Sequence, residues 1–181
     1  MPLSLVGSEM CIRDSPDTSL IYKLIGELQN MRAGNNDWMQ AREFQAETYG
    51  YDKYLGGCHM IPNHAIIILS LLFGDDDLQK TLMIVNTAGH DTDCNSGNVG
   101  CIMGIKNGLE GLRNGPDYLT PIQDRMYCPT ANGGETQTDA LTEAYKVINT
   151  ARRMKKEEIV KPKNGSRFHF EMPGSVQGWR S

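Results

Sequence analysis

The 181-residue sequence lacks two features that would point to particular classes of partner. It has no excess of basic residues, and its net charge of -4 argues against nucleic acid and against an anionic membrane surface. It also has no apolar run near the roughly 18 residues of a membrane span. The longest such run, HAIIILSLLF, is short and contains His64 and Ser70. We therefore expect a small molecule or a protein as the partner, with no nucleic acid and no membrane.

The cysteines also lack a recognisable pattern. There are five of them, an odd number, and no two are arranged as C-x-x-C. This argues against a zinc ribbon and against a disulfide framework. A reducing, cytoplasmic location is the expectation.

The length fits one ordinary domain with a single core. Residues 1–15 have no basic n-region, so they do not form a signal peptide. The segment LVGSEMCIRDS resembles a translated sequencing adapter joined to a truncated gene, so we expect a non-native leader at 1–15 and a missing natural N-terminus. The domain is then expected over 16–160. In the tail, 161–181, Phe168, Phe170 and Met172 alternate with polar residues, which predicts a β-strand at the start of a β-rich module.

Apolar periodicity predicts a mainly helical chain. Leu20, Leu24 and Leu28 form the stripe of a first helix that starts with Ser15 as its cap and Pro16 as its first residue, and stops at Gly34. The further predicted helices are WMQAREFQAE, His64 to Phe73, Leu78 to about Gly89, and about Thr138 to Glu158. The stretch YGYDKYLGGCHMIP is predicted as loop, because it contains glycines and a proline. For Asp75, Asp76 and Asp77 we favour helix capping over a metal site.

Five glycines recur at helical spacing after residue 96, namely Gly97, Gly100, Gly104, Gly108 and Gly111. They fall on one arc of a helical wheel. Each glycine in a helix costs roughly 1 kcal/mol against alanine, a cost that close packing against another helix would offset. The spacing therefore predicts a central, buried helix.

The most informative stretch is NTAGHDTDCNSGNVG, in which two aspartates stand two residues apart just before this helix. Asp91, Asp93 and Asn95 match the start of a calcium-binding EF-hand loop, but Ser96 and Ile102 replace its glycine and its bidentate glutamate, so we reject that interpretation. A phosphatase of the haloacid-dehalogenase type also uses D-x-D, but after a buried strand. It remains a weaker alternative, because the segment before Asp91 has a helical period.

Two interpretations of the aspartate pair remain. Two carboxylates in a tight turn can hold a hard cation such as Mg²⁺, next to the amide donors of a helix N-terminus. Alternatively, Asp91 and Asp93 merely cap the glycine-rich helix, which requires only one of them. We favour metal binding.

The stretch AGHDTDCNSGNVGCIMGIKNG, preceded by HMIPNHAIIILSLLFGDDDLQKTLMIV, resembles the C-terminal half of the ADP-ribosylglycohydrolase family. The family signature is a G-x-D-T-D-x segment that opens a glycine-rich helix. The likeness covers about Asp17 to Met126 and is most specific at residues 88–104. It implies an all-α, multi-helix bundle that binds two Mg²⁺ ions, with Mn²⁺ as a substitute. It also implies hydrolysis of the glycosidic bond between ADP-ribose and a protein or small-molecule acceptor.

Carried over to this sequence, the resemblance makes Asp91 and Asp93 the catalytic, metal-ligating carboxylates, with Asp93 bridging the two ions. Cys94 stands where many relatives have threonine or serine, whose oxygen helps to hold the metal. A thiol is a poor magnesium ligand, so Cys94 is expected to contribute through a backbone oxygen.

The resemblance also implies substrate contacts from His59, His90 and Asn95. The family places the other half of its metal site in an N-terminal Gly-Asp turn and a Thr-Asp-Asp run, and neither occurs at a matching place here. We therefore expect a fragment that is inactive by itself. The alternative is a non-catalytic member of the same fold that has a structural role or binds ADP-ribose.

Overall fold

The computed structural model describes residues 15–118, the backbone of 125–127 and of 137, and residues 138–161. The leader and the predicted strand from Phe168 to Met172 lie outside these ranges, apart from Ser15. The chain divides into two units between Pro116 and Asp117, and each is described by itself.

The first unit is a bundle of helices. Their bounds are α1, Leu20–Gly34; α2, Trp38–Tyr49; α3, Met60–Phe73; α4, Leu78–Thr87; and α5, Thr92–Arg113. Helix α3 packs against each of the other four. It is apolar on nearly all sides, as expected of a helix enclosed by its neighbours. None of the helices in the described ranges is long and apolar enough to cross a bilayer.

Two groups of buried side chains hold this unit together, and both include α3. One joins α1, α2 and α3 through residues such as Leu28, Ala41 and Leu69. The other joins α3 to α4 and α5 through Ile66, Val85, Val99 and others. The central helix of the bundle is therefore α3.

The prediction that the glycine-rich helix is central and buried is wrong. The buried residues of α5 are Asn95, Val99 and Met103. On an ideal helix these residues and the glycine arc are centred about 140° apart, so they lie on opposite faces. A Cβ atom added at Gly97 or Gly104 would meet nothing within 4 Å. Gly97 and Gly104 therefore do not mediate close helix packing, and Gly108, at φ 62°, instead marks a kink in α5.

Two predicted helix starts are also wrong. The N-cap of α1 is Ser19, whose Oγ accepts a hydrogen bond from the Tyr22 amide at 3.1 Å, so Ser15 and Pro16 precede the helix. Helix α3 begins at Met60 rather than His64. Its first turn contains Pro62, which is tolerated there because the amide that proline lacks would have no partner in the helix. The predicted loop is therefore shorter than its proline suggested.

One of the three consecutive aspartates caps the following helix, as predicted, and the other two form ion pairs that were not predicted. Asp77 is the N-cap of α4, and its Oδ1 accepts a hydrogen bond from the Lys80 amide at 2.6 Å. The other two form ion pairs: Asp75 with Arg32 and Lys80, and Asp76 with Lys106 of α5. None of the three belongs to a metal-ligating cluster of described residues.

We expect Asp77→Ala to lower the free energy of unfolding by about 1 kcal/mol, because the α4 N-terminus loses its cap. Asp77→Asn keeps the accepting oxygen and should retain most of that stability. Urea denaturation of the two variants and the parent chain measures the difference. Equal losses in both variants would show that the carboxylate charge, rather than the cap, matters.

The Asp75 ion pairs should make the stability of the bundle depend on acid. The hydrogen bond from Lys80 lowers the pKa of Asp75 from its ordinary value of 3.8, and the Arg32 guanidinium lowers it further. A lowered folded-state pKa means that this contribution is complete above pH 3.8 and is lost as the pH falls through the folded-state value. The pair is half-exposed, so the effect is small.

We expect Asp75→Asn to reduce stability at neutral pH and to flatten its decline in acid. Urea midpoints measured across this range test the prediction, with Asp17→Asn as a control at an exposed aspartate. An unchanged acid decline in Asp75→Asn would contradict it.

The second unit contains two short strands and a helix. Strand β1, Arg125–Tyr127, pairs antiparallel with β2, Gln137–Asp139, and helix α6, Ala140–Met154, follows directly. Asp139 caps α6 by accepting a hydrogen bond from the Thr142 amide at 2.7 Å. The predicted last helix is thus present but shorter, and the strands were not predicted. The helices that make up most of the described chain confirm the all-α fold.

Candidate functional site

A buried asparagine on α3 joins the segments from which the site is built. The Oδ1 of Asn63 accepts hydrogen bonds from the Asp91 amide, at 3.1 Å, and from Asn95 Nδ2, at 2.9 Å. Its Nδ2 donates to the Tyr51 hydroxyl, at 2.6 Å, and to the His59 carbonyl, at 3.0 Å. Asn63 therefore fixes the turn before α5 against the loop before α3.

Asn63 was not predicted from the sequence. The available signal was an amide in the largely apolar segment HMIPNHAIIILS. A buried amide needs hydrogen-bond partners, so its presence in such a helix indicates a polar contact with another segment.

The turn before α5 uses backbone conformations that favour glycine. Gly89 has φ 85° and His90 has φ 62°, which is uncommon for a residue other than glycine. The His90 ring packs edge-on against Tyr51 with ring centroids 4.5 Å apart, and Arg42 Nε donates to the Ala88 carbonyl at 2.5 Å. Burial and the Arg42 charge lower the pKa of His90, which favours a neutral ring. The turn is therefore held by the contact of His90 with Tyr51 and by the hydrogen bond from Arg42 to Ala88.

The aspartate pair and Cys94 lie together at the N-terminus of α5. One ligand atom from each of Asp91, Asp93 and Cys94 can be chosen so that all lie within 4.8 Å of one another. Asp91 occupies the N-cap position but makes no side-chain capping hydrogen bond. The Cys94 amide also lowers the pKa of Asp91, but less than Asp93 and the two thiols do. The geometry of Asp91 thus argues against the capping interpretation.

Hydrogen bonds within this cluster shift the pKa values of its members. The pKa of Asp91 is lowered, first by a hydrogen bond with Asp93 and then by hydrogen bonds with the Cys58 and Cys94 thiols. The pKa values of both thiols are raised, chiefly because they donate to the Asp91 carboxylate. Two adjacent carboxylates repel each other when both are ionised, and a shared proton or a cation relieves that repulsion. The cluster is thus suited to a positive charge.

A cavity of about 510 Å³ opens beside the cluster. Asp91 lies on its wall together with polar residues such as Asn63 and Asn98, while Ile67 and Leu71 supply apolar surface. The volume lies within the range of small-molecule sites, which combine apolar walls with a few polar groups. His64 also lines this cavity, and burial lowers its pKa, so its imidazole is neutral.

The structure brings together most of the residues predicted for the site. Asp91, Cys94 and Asn95 line the cavity, and Asp93 joins the ligand cluster. The Asn95 side chain is buried and holds the turn through Asn63.

The two predicted histidines have structural contacts. His59 is the N-cap of α3, where its Nδ1 accepts from the Ile61 amide at 3.2 Å. His90 packs on Tyr51, as described above, and neither histidine is among the residues that line the cavity. Substrate contact by His59 and His90 stays a prediction.

The ligand cluster contains two groups that suit magnesium and one that does not. The Asp91 and Asp93 carboxylates are the oxygen ligands that Mg²⁺ prefers, whereas the neighbouring thiols of Cys58 and Cys94 are soft ligands. Asp91, Asp93 and Cys94 are the complete ligand group found in the described ranges.

The first unit of the chain is helical and carries a carboxylate pair at a helix N-terminus, beside a cavity. The family model described as ADP-ribosylglycohydrolase matches residues 10–156. The chain belongs to this family, as its sequence signature predicted. Neither the curated proteins nor the solved structures yield a match.

Proposed function

We propose that this chain forms part of a hydrolase that cleaves the glycosidic bond between ADP-ribose and an acceptor. Family membership supports the reaction class. The observation that carries the proposal is the placement of Asp91, whose carboxylate meets Asp93 and Cys94 beside the cavity instead of capping α5. ADP-ribose, free or attached to a protein or small molecule, is the proposed partner.

Asp91 and Asp93 would hold the divalent cation, for which we propose Mg²⁺, with Mn²⁺ as a substitute. Such a cation supplies positive charge that orients hydroxyl groups and makes nearby water more acidic. The Asn63 side chain accepts a hydrogen bond from the backbone amide of Asp91, which would keep the Asp91 carboxylate in position. The apolar side chains of the cavity, including Ile67 and Leu71, would exclude water from the bound substrate.

Two carboxylates are too few to hold two magnesium ions, because magnesium loses its water reluctantly and is usually bound through further anionic groups. The described ligand group contains only Asp91 and Asp93 as carboxylates. We therefore propose that further anionic ligands complete the site in the active hydrolase. The 181-residue chain by itself should then have little or no activity.

A reducing, cytoplasmic location is also part of the proposal. It is supported by Cys58, Cys94 and Cys101, which are exposed and unpaired. Exposed free thiols persist where glutathione and thioredoxin keep them reduced.

The proposal is tested with the product of the complete natural gene, incubated with an ADP-ribosylated protein and, separately, with an aryl phosphate. We expect release of ADP-ribose and no release of phosphate. Phosphate release would instead support the haloacid-dehalogenase alternative. Stabilisation by ADP-ribose without hydrolysis would contradict the enzyme and favour a non-catalytic binding protein.

A further inference from the structure

The cavity beside the carboxylate pair is a groove between α3 and α5. Asn63 accepts hydrogen bonds from the Asp91 amide and from Asn95, which brings the first turns of the two helices together. Further along, Ile66 of α3 and Val99 of α5 belong to one group of buried side chains. The helices therefore run side by side in the same direction. The residues that line the groove extend from Met60 to Leu71 on α3 and from Asp91 to Ile102 on α5, which is about 16 Å along each helix.

The polarity of the groove changes along its length. Near the starts of the two helices its wall includes Asn63 and Asp91, beside the proposed cation site. Towards the other end the wall is formed by Ile67, Leu71 and Ile102. A bound molecule can therefore place a polar atom at the carboxylate pair and an apolar body further along the groove.

Electric charge in the groove is limited to its carboxylate end. None of the described residues that line it is a lysine or an arginine, and Asp91 is the one carboxylate among them. Burial lowers the pKa of His64, which also lines the groove, so its ring is neutral at pH 7. Once Asp91 holds a cation, no described side chain of the wall is left to pair with a charged group. Moving an unpaired charge from water into such surroundings is costly.

This distribution of charge separates the two parts of the proposed substrate. ADP-ribose carries a diphosphate, and proteins bind such anions with lysine, arginine or the free amides of a helix N-terminus. Ile67, Leu71 and Ile102 offer none of these groups. An uncharged, apolar acceptor, by contrast, gains free energy when it leaves water for this wall. The groove therefore fits the acceptor and does not fit the diphosphate.

We propose that the groove between α3 and α5 binds the acceptor group of the substrate and selects acceptors that are uncharged and partly apolar. It disfavours a guanidinium group such as that of ADP-ribosylated arginine, because Asp91 pairs with the cation and the described wall has no other carboxylate. The inference rests on the proposed function, since it takes the glycosidic bond to lie at the cation held by Asp91 and Asp93. It adds the chemical class of the acceptor.

Three probes with the same apolar body test this selectivity without any hydrolysis. They are 2-naphthol, which is uncharged at pH 7, the cation 2-naphthylguanidinium and the anion 2-naphthalenesulfonate. Equilibrium dialysis against the full chain with saturating Mg²⁺ measures the affinity of each probe. We expect 2-naphthol to bind at least about tenfold more tightly than either charged probe. Equal or tighter binding of a charged probe, or no binding of 2-naphthol, would overturn the inference.

A pair of substitutions on α5 locates the bound probe. Ile102 lines the groove, is 43% exposed and belongs to neither group of buried core residues, so Ile102→Ser should leave the fold intact. It should weaken 2-naphthol binding by about fivefold or more, because the probe loses contact with apolar carbons. The matched control is Ile105→Ser, at a residue that is 89% exposed and outside the groove. Equal effects of the two substitutions would contradict the inference, and circular dichroism confirms that both variants retain their helices.

Substrate specificity distinguishes this inference from the proposed function. The product of the complete natural gene is incubated with ADP-ribose linked through its glycosidic bond to 2-naphthol and, separately, to arginine. Because the two bonds differ in intrinsic reactivity, the measure is the change in the ratio of the two kcat/KM values. Ile102→Ser should lower this ratio by about fivefold, and Ile105→Ser should not change it. Hydrolysis with an unchanged ratio in Ile102→Ser would reject acceptor selection alone, whereas 2-naphthol binding without hydrolysis of either substrate would reject the proposed hydrolase alone.

Discussion

Asp93→Asn should reduce ADP-ribose release by the product of the complete natural gene by at least about a hundredfold. The substitution keeps the size of the side chain and removes the charge that pairs with Asp91 in holding the cation. Because the Asp93 side chain is exposed, the fold should be unaffected. Initial rates with an ADP-ribosylated protein substrate measure the effect.

The matched control is Asp52→Asn, the same substitution at an exposed aspartate outside the ligand cluster. It should leave the rate unchanged. Full activity in Asp93→Asn would remove the metal role from Asp93. If Asp93→Asn lost activity and also unfolded at a lower urea concentration than the parent protein, the loss of activity would be assigned to reduced stability instead.

Asn63→Ala should cost about 3 kcal/mol of stability, because two donors that Asn63 satisfies, the Asp91 amide and Asn95 Nδ2, lose their acceptor. Asp91 is the N-cap of α5 and Asn95 lies in its first turn, and this segment forms the site. The same substitution should therefore also weaken cation binding, although Asn63 is not a ligand. Urea denaturation and Co²⁺ titration measure the two effects.

Asn98→Ala is the matched control for Asn63→Ala. Asn98 lines the same cavity but is exposed, and its amide donates only to the Cys94 carbonyl of its own helix, at 3.0 Å. Its replacement should cost much less stability. If the two variants were equally stable, Asn63 would not be the residue that joins α3 to the turn before α5.

The helices were predictable because each has a local apolar pattern. Leu24, Ile25 and Leu28 recur at helical spacing on α1, and all three are buried in the structure. The prediction that the glycine face of α5 is buried failed, because spacing shows which residues share a face but not which face is buried. Asn95, Val99 and Met103 are spaced by four as well, and their side chains rather than the glycines meet the core. The strands β1 and β2 have three residues each, too few to show a period.

The site was predictable to the extent that it is local in sequence. Asp91, Asp93 and Cys94 lie within four consecutive residues, so any turn or helix start brings them near one another. The approach of Cys58 depends on how α3 packs against the turn before α5, and no pattern within either segment encodes it. The contribution of Asn63 is of the same kind, since its partners lie up to 32 residues away in sequence.

In the proposed hydrolase, the reaction requires the cation held by Asp91 and Asp93. The most direct measurement is ADP-ribose release by the product of the complete natural gene, after removal of divalent ions with a chelator and again after Mg²⁺ is restored. We expect that release stops on chelation and returns with Mg²⁺ in the parent protein, but not in Asp93→Asn. Undiminished release in the presence of the chelator would contradict it.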